Sequence, residues 1–157
     1  MSVSEQNPAV RLLEERGVSL EAIAEIVQDI QKRYYPGLTR EECLHSVLRV
    51  LEKREVQYAV LTGVALDMLA ERELLPSPLQ EIVARDDFLF GIDEILALSI
   101  TNVYGSIGLT NFGYLDKSKP RLIGELDSSE GRVNTFLDDL VAGIAAAAAA
   151  KIAHHHH

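Results

Sequence analysis

Apolar residues recur at spacings of three and four along most of the chain, which is the period of an amphipathic helix. The clearest case runs from Leu20 to Ile30, and Ser19 stands before it at the position of an N-cap. Thr39 and Glu42 form a capping box in front of another helix. The alternation with a period of two that is typical of half-buried strands is hard to find. The pattern therefore predicts an all-α fold.

Turn and breaker residues divide the other helices. A short helix is predicted from about Pro8 to Gly17, and the helix after Thr39 is predicted to continue through VQYAVLTGVALDMLAE until LPSPL breaks it. Two further helices are predicted in PLQEIVARD and in GIDEILALSITNVYG, and the second is apolar on most sides, which favours a central position. Residues 106–126 have no clear period, and residues 127–134 are predicted to form a loop.

The last predicted helix begins at about Thr135 and contains a long alanine-rich run. Its apolar stretch from Leu140 to Ala150 is eleven residues long, short of the roughly 20 that a bilayer span requires. We therefore expect a buried central helix with alanine and glycine faces. No repeat or linker divides residues 1–157, so we predict a single multihelical domain with N-terminal helices over 9–54. Residues 154–157, four histidines, resemble the remnant of an expression tag and are left out of the site.

Composition and charge narrow the class of protein. At 157 residues and 47% hydrophobic content, the chain can bury a sizeable core. The net charge is −9 and no basic stripe is visible, which argues against a nucleic-acid partner. The single cysteine, Cys43, excludes an intrachain disulfide and reads as a small core residue. No signal peptide is recognisable, so we expect a cytoplasmic protein.

Three segments place charged residues where the apolar pattern predicts burial. Carboxylates brought together from separate elements are suitable oxygen ligands for Mg²⁺ or Mn²⁺, and lysine or arginine can bind the oxygens of a phosphate. The sequence therefore raises the hypothesis of a metal site that handles a phosphoryl group. The three segments contain Asp93 and Glu94; Asp116, Lys117, Lys119 and Arg121; and Asp138 and Asp139.

Each acidic pair also has a structural interpretation. Asp93 and Glu94 fall in a first helical turn, where acids favour the helix dipole. Thr135 and Asp138 form a T-x-x-D pair that can cap the last helix. Adjacent helical residues point about 100° apart, so both acids of a pair cannot be equal ligands of one ion without help from the turn geometry. His45 lies within a helix and is expected to be packed or exposed rather than catalytic.

At these segments the chain resembles the phosphatidylglycerophosphatase A family, and more closely its soluble branch, the low-temperature-requirement C-type proteins. GIDEI is similar to a W-D-E-type motif of the family, and LDKSKPRLI is similar to its D-x-x-K-P motif. DDLVAGI matches the last family motif, D-D-x-V-A-G, without change. The resemblance covers roughly residues 60–153, and we assign residues 55–153 to the family-like region.

The resemblance implies a reaction and a set of residues. Enzymes of this family remove the terminal phosphate from phosphatidylglycerophosphate and require Mg²⁺. The resemblance thus implies that the substrate is a phospholipid head group or another phosphorylated small molecule, and that the protein contacts the membrane peripherally. Asp139, as the favoured ligand, and Lys119, as the phosphate-contacting base, would be the catalytic residues. Carried over by position, the acids that would hold Mg²⁺ or Mn²⁺ are Asp93, Glu94, Asp116, Asp138 and Asp139.

Departures from the family pattern keep two other functions open. The chain has no tryptophan, so Ile92 stands where the family has an aromatic residue, and the family's glycine- and proline-rich motif is reduced to LTGVALDMLAERELLPSPL. The membrane spans of the family enzymes are also missing. The first alternative is a regulatory module that binds a metal or phosphorylated ligand without catalysis. The second is a helical assembly protein, and in every case we expect a homo-oligomer, most often a dimer.

Overall fold

The computed structural model describes residues 3–104, 111–112, 115 and 131–155. Every regular element in these ranges is helical, which confirms the predicted all-α fold. A 3₁₀ turn, Asn102–Tyr104, follows α7 directly. The helices are α1 (Val3–Gln6), α2 (Pro8–Glu15), α3 (Leu20–Gln31), α4 (Arg40–Leu51), α5 (Arg54–Glu71), α6 (Leu79–Arg85), α7 (Ile92–Thr101) and α8 (Leu137–His155).

The two predicted N-caps are confirmed. The Ser19 hydroxyl accepts a hydrogen bond from the amide of Ala22 at 3.1 Å, at the start of α3. The Thr39 hydroxyl accepts one from the amide of Glu42 at 3.1 Å, at the start of α4. Each bond provides an acceptor for an amide that has no partner within its own helix.

The predicted continuous helix after Thr39 is divided in the structure. α4 ends at Leu51 and α5 begins at Arg54. The carbonyl of Leu51 accepts hydrogen bonds from the side-chain amides of Asn7 and Gln57, both at 2.9 Å. Because these two side chains satisfy a carbonyl at the end of α4, the chain can turn there without leaving that buried acceptor unpaired.

The predicted buried central helix is confirmed as α8. Residues Ala145 to Ala150 are fully buried, and α8 contacts α3, α4, α5 and α7. Even the polar contacts of its alanine-rich half are made to its backbone. The side-chain amide of Gln31 donates to the carbonyl of Ala149 at 3.0 Å, and the hydroxyl of Ser46 donates to the carbonyl of Ala148 at 2.8 Å. The small side chains let the surrounding helices approach the backbone of α8 on all sides.

α7 and α8 run parallel and in register. Before the two helices, the rings of Phe90 and Phe136 meet edge to face with centroids 5.7 Å apart. Within the helices, a Cβ atom added at Gly143 would lie only 2.9 Å from the carbonyl oxygen of Ala97. Both contacts join residues separated by the same number of positions in the sequence. The first turns of α7 and α8 therefore lie at the same end of the helix pair.

Replacing Gly143 with alanine is expected to destabilise the protein, although alanine is the better helix former by about 1 kcal/mol. The added methyl group would meet backbone atoms of α7, which cannot move aside as a flexible side chain could, and overpacking of this kind costs about 1–3 kcal/mol. Gly37→Ala is the control, because no atom lies within 4 Å of its added Cβ. Urea denaturation of both variants measures the difference. A Gly143→Ala protein as stable as the wild type would show that the close approach of α7 and α8 is not required.

Candidate functional site

Two buried acids occupy corresponding positions on the parallel helices. Asp93 lies one turn before Ala97 on α7, and Asp139 lies one turn before Gly143 on α8. Asp93 is 8% exposed and Asp139 is 7% exposed. Since Gly143 packs against the backbone of Ala97, the register places the two acids at the same end of the helix pair. Two acids from separate predicted motifs thus occupy equivalent positions on neighbouring helices.

The carboxylate of Asp93 forms no hydrogen bond or ion pair within the part of the chain that the structure describes. At 8% exposure the residue is largely, but not completely, removed from water. Carboxylate oxygens are the ligands that Mg²⁺ and Mn²⁺ favour. Asp93 is therefore a chemically suitable ligand position.

The other two predicted acids of the helix starts differ in their surroundings. The carboxylate of Asp138 accepts a hydrogen bond from the amide of Asp139 at 2.9 Å and is buried. Glu94, beside Asp93 on α7, is exposed. Within the adjacent pair on α8, the Asp138 carboxylate thus accepts a hydrogen bond from a backbone amide at the start of the helix.

The start of α8 is capped by an acid that the sequence patterns did not single out. Asp67, on α5, is fully buried. Its two carboxylate oxygens accept from the amide of Phe136 at 3.0 and 3.1 Å, and Oδ2 also accepts from the amide of Leu137 at 2.9 Å. A side chain from another helix therefore satisfies amides at the start of the central helix.

Thr135, one member of the predicted Thr135–Asp138 capping pair, makes a different contact in the structure. The hydroxyl of Thr135 donates to the carbonyl of Val83 at 2.6 Å, at the end of α6. The amide of Asp138 donates to the carbonyl of Asn134 at 3.1 Å. Thr135 therefore attaches the start of α8 to α6, and the capping role belongs to Asp67.

One signal in the sequence could have drawn attention to Asp67. It lies on the buried face of α5 that also carries Val60, Gly63 and Val64, where the helical period predicts an apolar residue. A charged residue at such a position needs a partner inside the protein. Phe136, however, lies 69 positions away in the sequence, so no local capping rule could have identified the partner.

Burial shifts the titration of Asp67 towards neutral pH. Removal of the carboxylate from water raises its pKa to about 7, and the nearby charge of Asp86 acts in the same direction. The hydrogen bonds from Phe136 and Leu137 and the charge of Arg16 oppose the rise. The buried carboxyl group therefore changes its charge in the physiological pH range.

A second anchor holds the residues just before α8. Arg16 forms a bidentate ion pair with Glu71 at 3.0 and 2.6 Å, and this pair lowers the pKa of Glu71. The same guanidinium donates to the carbonyl of Val133 at 2.8 Å and to the side chain of Asn134 at 3.1 Å. Glu71 in turn accepts from the amide of Val133 at 2.9 Å. α2, α5 and the segment leading into α8 are thereby joined through one charge pair.

The third predicted motif lies outside the described residues. Asp116, Lys117, Lys119 and Arg121 all fall within the range 116–130, of which the structure describes nothing. Within the described ranges, no group of three histidine, cysteine, aspartate or glutamate side chains is arranged to hold a metal ion. The metal site assembled from all three motifs therefore stays a prediction.

A cleft bounded by described residues lies at the other end of α8. It has a volume of about 890 Å³, and its lining includes His45, Arg49 and Lys151. It does not include Asp93 or Asp139. His45 is exposed there, and Cys43 beside it is a buried core residue whose pKa burial raises to about 11.

Comparison with known proteins identifies the family. The family model described as Phosphatidylglycerophosphatase A matches residues 19–154. The chain belongs to this family. The matched range includes α3 and α4, which precede all three motifs, so these N-terminal helices are part of the shared fold.

The relatives place the chain in the predicted branch. It is 60% identical to the Bacillus subtilis protein YpjQ over 92% of this chain and 82% of that protein. The structure of the low temperature requirement C protein from Listeria monocytogenes superposes on it with a TM-score of 0.94. The two sequences are 54% identical, over 99% of this chain and 98% of the other. A Bacillus stearothermophilus structure gives a TM-score of 0.92 with 58% identity over 94% and 97% of the two chains. Among the described residues of this family member, no helix has the length and apolar content to cross a membrane.

The free energy of unfolding is expected to depend on pH through Asp67. Its pKa is about 7 in the folded protein and about 3.9 in an unfolded chain. Between these values the folded state holds one more proton, so stability falls as pH rises from about 4 to about 7, by up to about 1.4 kcal/mol per pH unit, and then levels off. Asp67→Asn removes this dependence. Urea denaturation of both proteins from pH 5 to pH 8 measures it, and parallel curves would contradict it.

Breaking the Arg16–Glu71 pair is expected to cost about 3 kcal/mol, because removing one partner leaves a largely buried charge uncompensated. Arg16→Met tests this, since methionine keeps much of the apolar stem. Lys32→Met is the matched control: Lys32 pairs with Asp29 at 3.4 Å on the exposed surface, where a pair contributes about 0–1 kcal/mol. Thermal and urea unfolding compare the two. Equal losses in both variants would mean that the pair does not anchor the start of α8.

Proposed function

We propose that the protein is a divalent-metal-dependent phosphohydrolase that removes phosphate from phosphatidylglycerophosphate or a similar phosphomonoester. The observation that carries this proposal is the register of α7 and α8, which brings the buried acids Asp93 and Asp139 to one end of the helix pair. Membership of the phosphatidylglycerophosphatase A family supports it, since proteins of this family act on phospholipid head groups.

The acids of the helix starts have the chemistry of a magnesium or manganese site. Asp93 and Asp139 would hold the ion, with Asp138, Glu94 and Asp116 as the further oxygen ligands implied by the family motifs. Bound there, the ion would polarise a phosphoryl oxygen and lower the pKa of a coordinated water. The protein itself supplies the fixed carboxylates and a largely buried setting, in which electrostatic interactions are stronger than in water.

The helix ends favour a phosphate in the same place. The first turns of α7 and α8 lie at one end of the parallel pair, and the start of a helix carries a partial positive charge. Lys119, which lies outside the described residues, would bind the remaining phosphate oxygens. The acids bind the cation, and the helix ends and Lys119 orient the phosphoryl group.

Exposed apolar side chains lie close to the acids in the sequence. Phe88 is 92% exposed and Leu89 is 83% exposed, and Ile92 and Ile95 on α7 are also exposed. Ile92 directly precedes Asp93. On this proposal the protein works in the cytoplasm and meets a lipid substrate by peripheral contact with the membrane surface. The predicted homo-oligomer stays a prediction.

The acids can be tested by substitution. In the wild type, with residues 154–157 removed, Mg²⁺ at 100 times its dissociation constant is expected to raise the free energy of unfolding by about 2.7 kcal/mol. Asp93→Asn and Asp139→Asn should abolish this response and reduce phosphate release from phosphatidylglycerophosphate at least roughly 100-fold. Asp29→Asn, at an exposed position, is the control and should behave as the wild type.

The outcomes distinguish the three functions. An Asp139→Asn protein with unchanged ion response and turnover would refute the role assigned to this residue. Ion or phosphoester binding without turnover in the wild type would point to the regulatory module. No response to either ligand would favour the helical assembly protein, with the acids as structural groups.

A further inference from the structure

The start of α8 depends on a distant acceptor. The first amides of a helix have no partners within it, and in a helix that is buried on all sides water cannot replace them. The nearest local candidate, the Thr135 hydroxyl, donates to Val83. The carboxylate of Asp67 takes the amides of Phe136 and Leu137. These two residues directly precede Asp138 and Asp139.

We infer that Asp67 is the positioning residue of the acidic site: by binding the amides of Phe136 and Leu137, its carboxylate sets the first turn of α8 so that Asp139 stands in register with Asp93. The inferred effect of Asp67 on metal binding rests on the proposed function. Its inferred effect on the position of the first turn of α8 does not.

α5 is a suitable reference for this placement because it packs against both helices of the site. A Cβ atom added at Gly63 would lie 2.7 Å from Cδ1 of Leu140 on α8 and 3.0 Å from Cδ2 of Leu96 on α7. Asp67 lies one turn further along the same buried face of α5. The helix that packs against both α7 and α8 thus also carries the group that holds the start of α8.

The geometry of the contact constrains rotation as well as distance. Both carboxylate oxygens approach the amide of Phe136, and one of them also accepts from Leu137. Two consecutive amides bound to one rigidly buried group fix the turn more closely than one bond would. Since a shift of about 1 Å in a reacting group can cost roughly 100-fold in rate, a residue that never touches substrate can still govern the site.

The test compares Asp67→Ala and Asp67→Asn with Val56→Ala. Asparagine keeps one oxygen acceptor and the shape of the side chain, and so is expected to rescue part of the function. Val56 is also fully buried on α5, well before Asp67, and its truncation reports general loss of packing. Should Asp67→Ala fail to fold, Asp67→Asn and Val56→Ala still give the comparison.

The first readout is amide hydrogen exchange in the metal-free proteins. In Asp67→Ala, exchange at residues 136–140 is expected to accelerate at least roughly 10-fold more than at residues 145–150, because only the first turn loses its acceptor. Asp67→Asn should give a smaller difference, and Val56→Ala should give none. Unchanged relative exchange at residues 136–140 in Asp67→Ala would overturn the inference.

The second readout is the Mg²⁺ concentration that half-saturates the thermal shift. It is expected to rise at least roughly 10-fold in Asp67→Ala, less in Asp67→Asn, and not in Val56→Ala, whatever the overall stability. Wild-type ion affinity in Asp67→Ala would overturn the positioning role in the site. A wild type that never responds to Mg²⁺ would refute the proposed function, and the exchange experiment would then decide alone whether Asp67 places the turn.

Discussion

The burial of α8 on every side is the constraint on which the rest of the structure depends. A helix without a solvated face must find partners for its terminal backbone groups inside the protein. Asp67 provides the acceptor for the amides of Phe136 and Leu137, and the Arg16–Glu71 pair holds the residues just before them. Charged groups are therefore required in the core around one end of α8, because its backbone cannot reach water there.

Small residues then decide how closely the helices that carry the acids approach. Gly143 allows the backbone of α8 to approach Ala97 on α7, and Asp139 and Asp93 lie one turn before these two residues. The D-D-x-V-A-G motif thus carries a spacing as well as a set of side chains: its acids and its glycine are one helical turn apart. A larger residue at the glycine position would separate the helices and move the carboxylates with them.

The fold could be predicted from the sequence where its causes are local. Helical period, the caps at Ser19 and Thr39 and the alanine-rich run of α8 all depend on neighbouring residues, and the structure agrees with them. The prediction failed where a distant group competes. Thr135 has the sequence of a cap, but its hydroxyl bonds to Val83, and the amides next to it bond to Asp67 on another helix. Likewise the break after Leu51 depends on Asn7, from the start of the chain.

The two ends of α8 differ in their electrostatic surroundings. For the phosphoryl group and metal ion of the proposed function, the end that carries Asp139 is the more favourable one. The cleft beside Lys151 lies at the end of α8 where carbonyl groups terminate the helix and carry a partial negative charge. A phosphate there would have to rely on Arg49 and Lys151 against Glu41 and Glu42, which line the same cleft. At the opposite end the positive ends of two parallel helix dipoles lie together, beside acids suited to a cation. On the proposed function, a phosphoryl group with its metal ion is better matched by the second arrangement than by the first.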